Sequence, residues 1–323
     1  MAIVSSTVSP GDRLDHYRVE GLVVEGRAAN MFRATDLRTN GTVAIEIPHP
    51  EIEADPVLLA RFERASEIAQ LEHPGLLKVI ERREHDSQHV QPYIVAEWFE
   101  GDSLRHLLQK GRLSPERATR ITAAVCDVLE FLHGHGMVHG DLAPEHVLVG
   151  ADDTVKLVQF GLASKAGARR LTFTKLSQVV GDSPYVSPEE VAGKKPTAQS
   201  DVYSVGIMLY EMLAGTLPFS GSDPSERLAT YFAPPRTIDP SISPELQEVV
   251  YRALERAPQN RYPNAREFAY DLRHLDRVAA SDRPEMREWE REDSRHARKM
   301  IFYVLVVLIP IAILGALIYV ARR

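Results

Sequence analysis

The sequence has a single cysteine, Cys126, so no disulfide framework can form within it, and a reducing compartment suits its folded part. That thiol lies in the apolar run Ala123-Ala124-Val125-Cys126, which points to core packing. A basic surplus is also missing. Lys and Arg number 38 against 45 Asp and Glu, a formal net charge of -7, so the chain lacks the positive charge a general nucleic-acid binder needs to neutralise phosphates. Met1 to Pro10 carry no basic start and no sustained apolar stretch, so no secretory leader is expected. Internal repeats and long low-complexity tracts are absent, which excludes solenoids and compositionally biased tails.

What is present is globular. The 323 residues are 44% hydrophobic and 26% charged, enough for one two-lobed domain plus an anchor, or for two small domains. From Ile301 to Ala321 there is no charged residue. A helix of that length spans about 31 Å, the thickness of a hydrocarbon core. The run is apolar all round, follows the charged stretch Asp282 to Lys299 and stops at Arg322-Arg323. Pro310 and Gly315 are compatible with a membrane helix. A transmembrane helix over 300–321 is therefore expected, preceded by a charged, solvated juxtamembrane segment over 276–299. Arg295, Arg298 and Lys299 favour a domain on the cytoplasmic side of the inner membrane, a bias that Arg322 and Arg323 dilute. Only those two arginines follow the span, so the signal is expected from the cytoplasm, the bilayer or a membrane partner.

Residues 14–100 read as strands with one helix. Tyr17 to Val24 and Thr42 to Ile47 are β-rich runs around the turn signal Thr39-Asn40-Gly41. Pro56 to Leu71 has helical spacing and stops at His73-Pro74-Gly75. Val90 to Trp98 is a further strand, and Glu100-Gly101-Asp102 a connector. Beyond it the chain turns helical: Ser103 to Gln109, then a longer helix opened by Ser114-Pro115 and running to His133. Short β runs are expected at Val147–Val149 and Val155–Val158, and a long polar loop over 160–190. Helices are expected at Ser200–Ala214, Pro244–Ala257 and Ala265–Leu275. This is an α+β plan with a small β-rich lobe and a larger helical one.

The order of short motifs resembles the protein-kinase family, in particular bacterial membrane-anchored serine/threonine kinases. Val43-Ala44-Ile45-Glu46 stands where that family has V-A-I-K, and His139-Gly140-Asp141-Leu142 where it has H-R-D-L. Gln159-Phe160-Gly161 replaces D-F-G, and Ser187-Pro188-Glu189 replaces A-P-E. Asp201 to Gly206 is similar to the helix that braces the catalytic loop, and Arg261 to the arginine that pairs with the A-P-E glutamate, here Glu189. The resemblance covers residues 14–275, with lobes at 14–100 and 101–275. Residues 1–13 are left as an N-terminal extension. It implies an adenine pocket at Gly26, Met31, Ala44, Glu97, Phe99 and Leu148, with the backbone of Glu97, Trp98 and Phe99 as hinge, and a spine containing His139 and Phe160.

The same comparison marks what is degenerate. The glycine-rich loop keeps only Gly26, with Val24 and Ala29 at the other two positions. The strand lysine is Glu46, which reverses the charge beside a triphosphate. An Arg64–Glu46 pair would keep the lobes together with reversed polarity. Asp141 occupies the base position, Ala143 replaces the lysine that steadies the transferred phosphoryl, and His146 and Gln159 replace the Mg²⁺ ligands. The resemblance thus implies a pseudokinase acting as scaffold or allosteric regulator, partnered by an active kinase or another signalling protein. ATP is left open as a ligand, and Mg²⁺ in its usual mode is not expected. Two alternatives stay open: an atypical serine/threonine kinase using Asp141 as base with Arg27 supplying charge, and a switch that binds ATP without transfer. Arg169, Arg170, Thr172, Thr174, Lys175 and Ser177 form a candidate phosphorylated loop or an ordinary polar one.

Overall fold

The computed structural model describes residues 8–26, 28–55, 59, 62, 71–83, 92–158, 164–165, 183–219, 231–281, 283 and 289. Alternating side chains build the first lobe. Strands β1 (Arg13–Leu14), β2 (Tyr17–Glu25), β3 (Ala29–Asp36), β4 (Gly41–Pro48), β5 (Val79–Arg83) and β6 (Tyr93–Glu97) form one sheet in the order β1-β2-β3-β4-β6-β5. Every neighbouring pair is antiparallel. Val43, Ile45 and Ile47 of β4 join Tyr17, Phe32, Tyr93 and Val95 in one apolar cluster. Because strand residues alternate between faces, Ala44 and Glu46 leave the opposite side. The turn signal at Thr39-Asn40-Gly41 is obeyed: Asn40 takes a left-handed backbone, φ 58°, a conformation Asn tolerates better than most residues.

A short helix not foreseen from the sequence, α1 (Pro50–Ala54), leads out of β4. Of the helix expected over 56–71, only Leu59, Phe62 and Leu71 are described. Leu59 and Phe62 are helical and buried, whereas Leu71 lies outside any element. Arg64 lies outside the described residues. The strand expected over 90–98 is narrower, as β6.

In the second lobe, β7 (Asp102–Ser103) pairs with β9 (Val147–Val149), which pairs with β10 (Val155–Leu157). The strand β8 (Met137–Val138) pairs with β11 (Ser164–Lys165), so the loop expected over 160–190 contains a strand. It also closes on a helix, α4 below. Helix α2 (Leu104–Gln109) begins where the Ser103 hydroxyl accepts the His106 amide at 3.2 Å. Helix α3 (Pro115–Gly134) begins where Ser114 does the same for Arg117 at 3.3 Å, with Pro115 at its first position. Then follow α4 (Pro188–Val191), α5 (Ala198–Ala214), α6 (Pro235–Ile238), α7 (Pro244–Ala253) and α8 (Ala265–Arg273). Helix α7 ends four residues short of the expected Ala257. Pro258 disfavours helical backbone before it and lacks the N–H that would continue the ladder. Helix α5 is buried from Ser200 to Ala214. Such a helix, covered on all sides, is the axis of its lobe.

Two expectations about charge are settled differently. The Arg261–Glu189 pair is present: both guanidinium ends meet the carboxylate at 2.8 Å, and both residues are buried. The segment after 275 is not simply solvated. Arg283 binds Glu248 through Nε and Nη2, the latter at 2.6 Å, and reaches Glu255 at 2.5 Å. Its guanidinium also lies 5.6 Å from the Tyr251 ring centroid. Two carboxylates on one helical lobe pull this arginine out of the linker. Among the described residues no helix is long and apolar enough to cross a membrane; the segment 300–321 lies outside them.

Removing one partner of a buried ion pair strands the other charge. Arg261→Ala should therefore lower the unfolding free energy of the full chain by about 3–5 kcal/mol in urea denaturation. Arg266→Ala, which loses a pair with Glu130 from a side chain 78% exposed, should change it by less than about 0.5 kcal/mol.

Candidate functional site

The candidate site lies where the two lobes meet. Val24 of β2, Met31 of β3, Ala44 of β4 and Ala96 of β6 form one apolar cluster with Leu148 of β9 and Val158. Trp98 and Phe99 pack against it. The three adenine-pocket residues expected from β3, β4 and β9 are thus brought together, with the hinge beside them. Glu97, expected at the hinge, is tied to β-rich-lobe and helical-lobe residues beside it. Its amide donates to the Lys78 carbonyl at 2.9 Å, and its side chain pairs with Lys156 at 2.5 Å. Burial acts to raise its carboxyl, but the hydrogen bonds from Lys156 and the Lys78 amide hold it below the usual range.

Gly26 follows β2, and its carbonyl lies 2.8 Å from His49 Nε2. The His49 amide donates to Ala28 at 2.9 Å. His49 thereby ties down the loop that would cover a ligand, a role nothing in the motif pattern signalled. Arg27 lies outside the described residues.

Glu46 is half-buried on the cleft side of β4, directly across from Met31. Burial pushes its carboxyl up to about 7. Among the described residues, no hydrogen bond or ion pair reaches it. Next to a triphosphate such a carboxylate is repulsive: two like charges 4 Å apart cost about 4 kcal/mol at an effective dielectric near 20.

The loop carrying Asp141 is held from beneath by Asp201 of α5. Its two oxygens accept the His139 amide at 3.0 Å and the Gly140 amide at 2.9 Å, and His133 Nε2 lies 2.8 Å away. Gly140 sits at φ +67°, a backbone that an arginine would adopt only under strain. His139 is buried, and burial pushes its imidazole down to about 4, so it is neutral at physiological pH. Ala143 precedes, and His146 ends, the 3₁₀ turn Pro144–His146. The His146 ring is buried, bonds the Asp141 carbonyl through Nδ1 and stands 3.9 Å from the Asp141 carboxylate.

This donor set does not fit a Mg²⁺–nucleotide. Hard cations need several oxygen ligands with net negative charge. His146 offers nitrogen, and its Nδ1 is already engaged by a carbonyl. Among the described residues no cluster of three metal-ligating side chains exists. Gln159 and Phe160 lie outside the described residues, as does the candidate loop 169–177.

A second polar cluster adjoins the Asp141 loop and was not anticipated. Arg105 of α2 donates to Glu145 at 2.7 Å and to Glu211 at 2.7 Å. It also donates to the Tyr185 hydroxyl, which in turn donates to Glu211 at 2.5 Å. It links the helix after the hinge, the 3₁₀ turn, the segment before α4 and α5. No sequence pattern advertises it, since its four members come from four separate elements.

Residues 17–270 match the protein kinase domain family. The serine/threonine-protein kinase PknB of Mycolicibacterium smegmatis is 33% identical over 285 residues, covering 86% of this chain and 46% of that protein. A probable serine/threonine-protein kinase of Streptomyces coelicolor is 35% identical over 263 residues, covering 79% of this chain and 39% of the other. The chain thus spans less than half the length of these relatives. Among solved structures, the kinase domain of Mycobacterium tuberculosis PknI matches with a TM-score of 0.63 at 25% identity, over 83% of this chain and all of that one.

The Glu46 carboxyl makes stability depend on pH with a definite sign. Its folded value, about 7, lies above its ordinary 4.5, so the native state binds more protons than the unfolded chain between them. Its contribution is complete below the ordinary value and lost as pH rises through the folded one. Wild type should therefore lose stability relative to Glu46→Gln between about pH 5 and pH 8. Parallel thermal melts of the full-length proteins check this. Glu190, also raised to about 7 by burial, is common to both proteins and cancels.

Proposed function

The chain belongs to the protein kinase family, and from that premise we propose that it works as a pseudokinase: a signalling scaffold or allosteric partner with little or no phosphoryl transfer. Glu46 carries this reading. Catalysis in this family is positioning and charge neutralisation around phosphate. A half-buried carboxylate at the cleft, with no described cation beside it, works against both. His146, bonded to the Asp141 carbonyl, adds an imidazole where the family resemblance calls for an oxygen donor to the second metal.

The partner class is another signalling protein or an active kinase. The uncharged run 301–321 supports a single membrane span, with the kinase-like domain on the cytoplasmic face of the inner membrane. On this reading Arg283 fastens the start of the linker to the helical lobe, so the domain's orientation to the bilayer is constrained.

The relatives support a second reading. Both are named serine/threonine kinases, and Asp141 keeps the base position on a loop braced by Asp201. An atypical kinase would use Asp141 to accept the substrate hydroxyl's proton. A switch that binds ATP without transfer lies between the two readings.

Thermal shift of the full chain in detergent, with ATP and with or without Mg²⁺, separates the readings. Ligand at a hundred times its dissociation constant adds about 2.7 kcal/mol, or roughly 5–10 °C for a domain of this size. The pseudokinase predicts no Mg²⁺-dependent shift at millimolar nucleotide, and no γ-phosphate label on itself or on a generic protein substrate. Labelling that Asp141→Asn abolishes would establish the kinase instead, and a Mg²⁺-independent shift without labelling would establish the switch.

A further inference from the structure

Glu46 is placed to recognise charge of the opposite sign. It follows Ala44 by two residues on β4, so the two side chains leave the same face. Met31 is its direct cross-strand partner, and opposed residues of an antiparallel pair also share a face. The β3–β4 register runs without a bulge, so this assignment holds along both strands. Met31 and Ala44 are walls of the apolar cluster completed by Val24, Ala96, Leu148 and Val158. The cleft therefore presents hydrocarbon from two lobes and, one strand repeat inward from Ala44, a carboxylate that no described residue pairs.

Each part of that arrangement specifies part of a ligand. Walls of aliphatic side chains contributed from above and below suit a flat ring, whose two faces are its apolar surfaces. A half-buried carboxylate beside the ring gains from a cation and loses from an anion. We propose that the cleft binds a planar heteroaromatic ligand bearing a cationic arm, with the ring between the lobes and the arm at Glu46. This inference rests on the pseudokinase reading, since a cleft that holds Mg²⁺–ATP would select the reverse charge.

Two probes of one ring and opposite charge test it: 9-(3-aminopropyl)adenine and 3-(adenin-9-yl)propanoate. Binding of each to the full chain in detergent is measured by calorimetry at pH 8 and fixed ionic strength. The aminopropyl probe should bind at least about tenfold more tightly, a difference of about 1.4 kcal/mol. Glu46→Gln should shrink that ratio to within about twofold, and Glu46→Lys should invert it. If Glu46→Lys fails to fold, Glu46→Gln carries the test. Equal affinity for the two probes overturns the proposal and fits an arginine of the chain, such as Arg64, already neutralising Glu46. A preference that survives in Glu46→Gln, or no binding of either probe at millimolar concentration, also overturns it. The same preparation is assayed for γ-phosphate transfer from Mg²⁺–ATP. Transfer lost in Asp141→Asn overturns the pseudokinase reading, whereas equal affinity without transfer overturns only the ligand assignment.

Discussion

Asp201 is the constraint on which the second lobe's functional geometry depends. It is buried, and its carboxylate takes two consecutive backbone amides and a histidine ring. A buried charge is tolerable only with such partners, and these also fix the path of the loop they come from. The loop so held carries Asp141 and His146. Because α5 is packed on every side, the brace is anchored to the least deformable element of the lobe. A second anchor, Arg261 with Glu189, ties the segment before α5 to the chain after α7. The two anchors share α5 as reference: Ser200 of α5 also donates to Glu189 at 2.7 Å.

Local stiffness of this kind is indifferent to catalysis. The same brace would serve a phosphotransferase or a scaffold. What distinguishes the two readings is charge at the cleft, and there the lobes contribute opposite problems. The β-rich lobe brings Glu46, an acid that no described residue pairs, where a phosphate would need a cation. The helical lobe brings an imidazole where a cation would need an oxygen. Either alone could be compensated by a neighbour. Together, on the pseudokinase reading, they set the described charge of the cleft against a Mg²⁺–nucleotide.

Much of this was legible in the sequence, for identifiable reasons. Motifs whose role is backbone geometry or packing carry their own context, so the Asp201 brace and the Arg261–Glu189 pair that the family resemblance implied are present, and Met31, Ala44 and Leu148, which it grouped, lie in one apolar cluster. Ser114 announced its helix because a cap acts within one turn. Interactions assembled across distant segments were not legible. The cluster of Arg105, Glu145, Tyr185 and Glu211 joins four elements, His49 reaches back to Gly26 across the sheet, and Arg283 leaves a charged stretch that composition alone reads as linker. Long-range polar contacts depend on where the fold delivers each side chain, and charge runs do not encode it. Helix α7 was misjudged for a local reason: the breaking effect of Pro258 begins before the proline itself.

The distribution of losses is itself evidence about what the molecule does. Four changes from the family pattern at the described site fall on positions that handle charge, Glu46, Gly140, Ala143 and His146, and two more, Val24 and Ala29, stand where the loop over the cleft would have glycine. The apolar walls, the bracing carboxylate and the buried ion pair are intact. A chain drifting without function would lose both kinds together, because cavities and stranded charges cost a domain as much as catalytic losses cost an enzyme. Retained packing beside altered charge fits a protein whose shape is used. It also explains why the altered positions remain ordered. Ala143 and His146 are buried parts of a hydrogen-bonded turn, and Glu46 sits in a regular strand. These replacements are compatible with the fold because the backbone bonds of turn and strand are in place around them, and what they alter is the charge presented at the cleft.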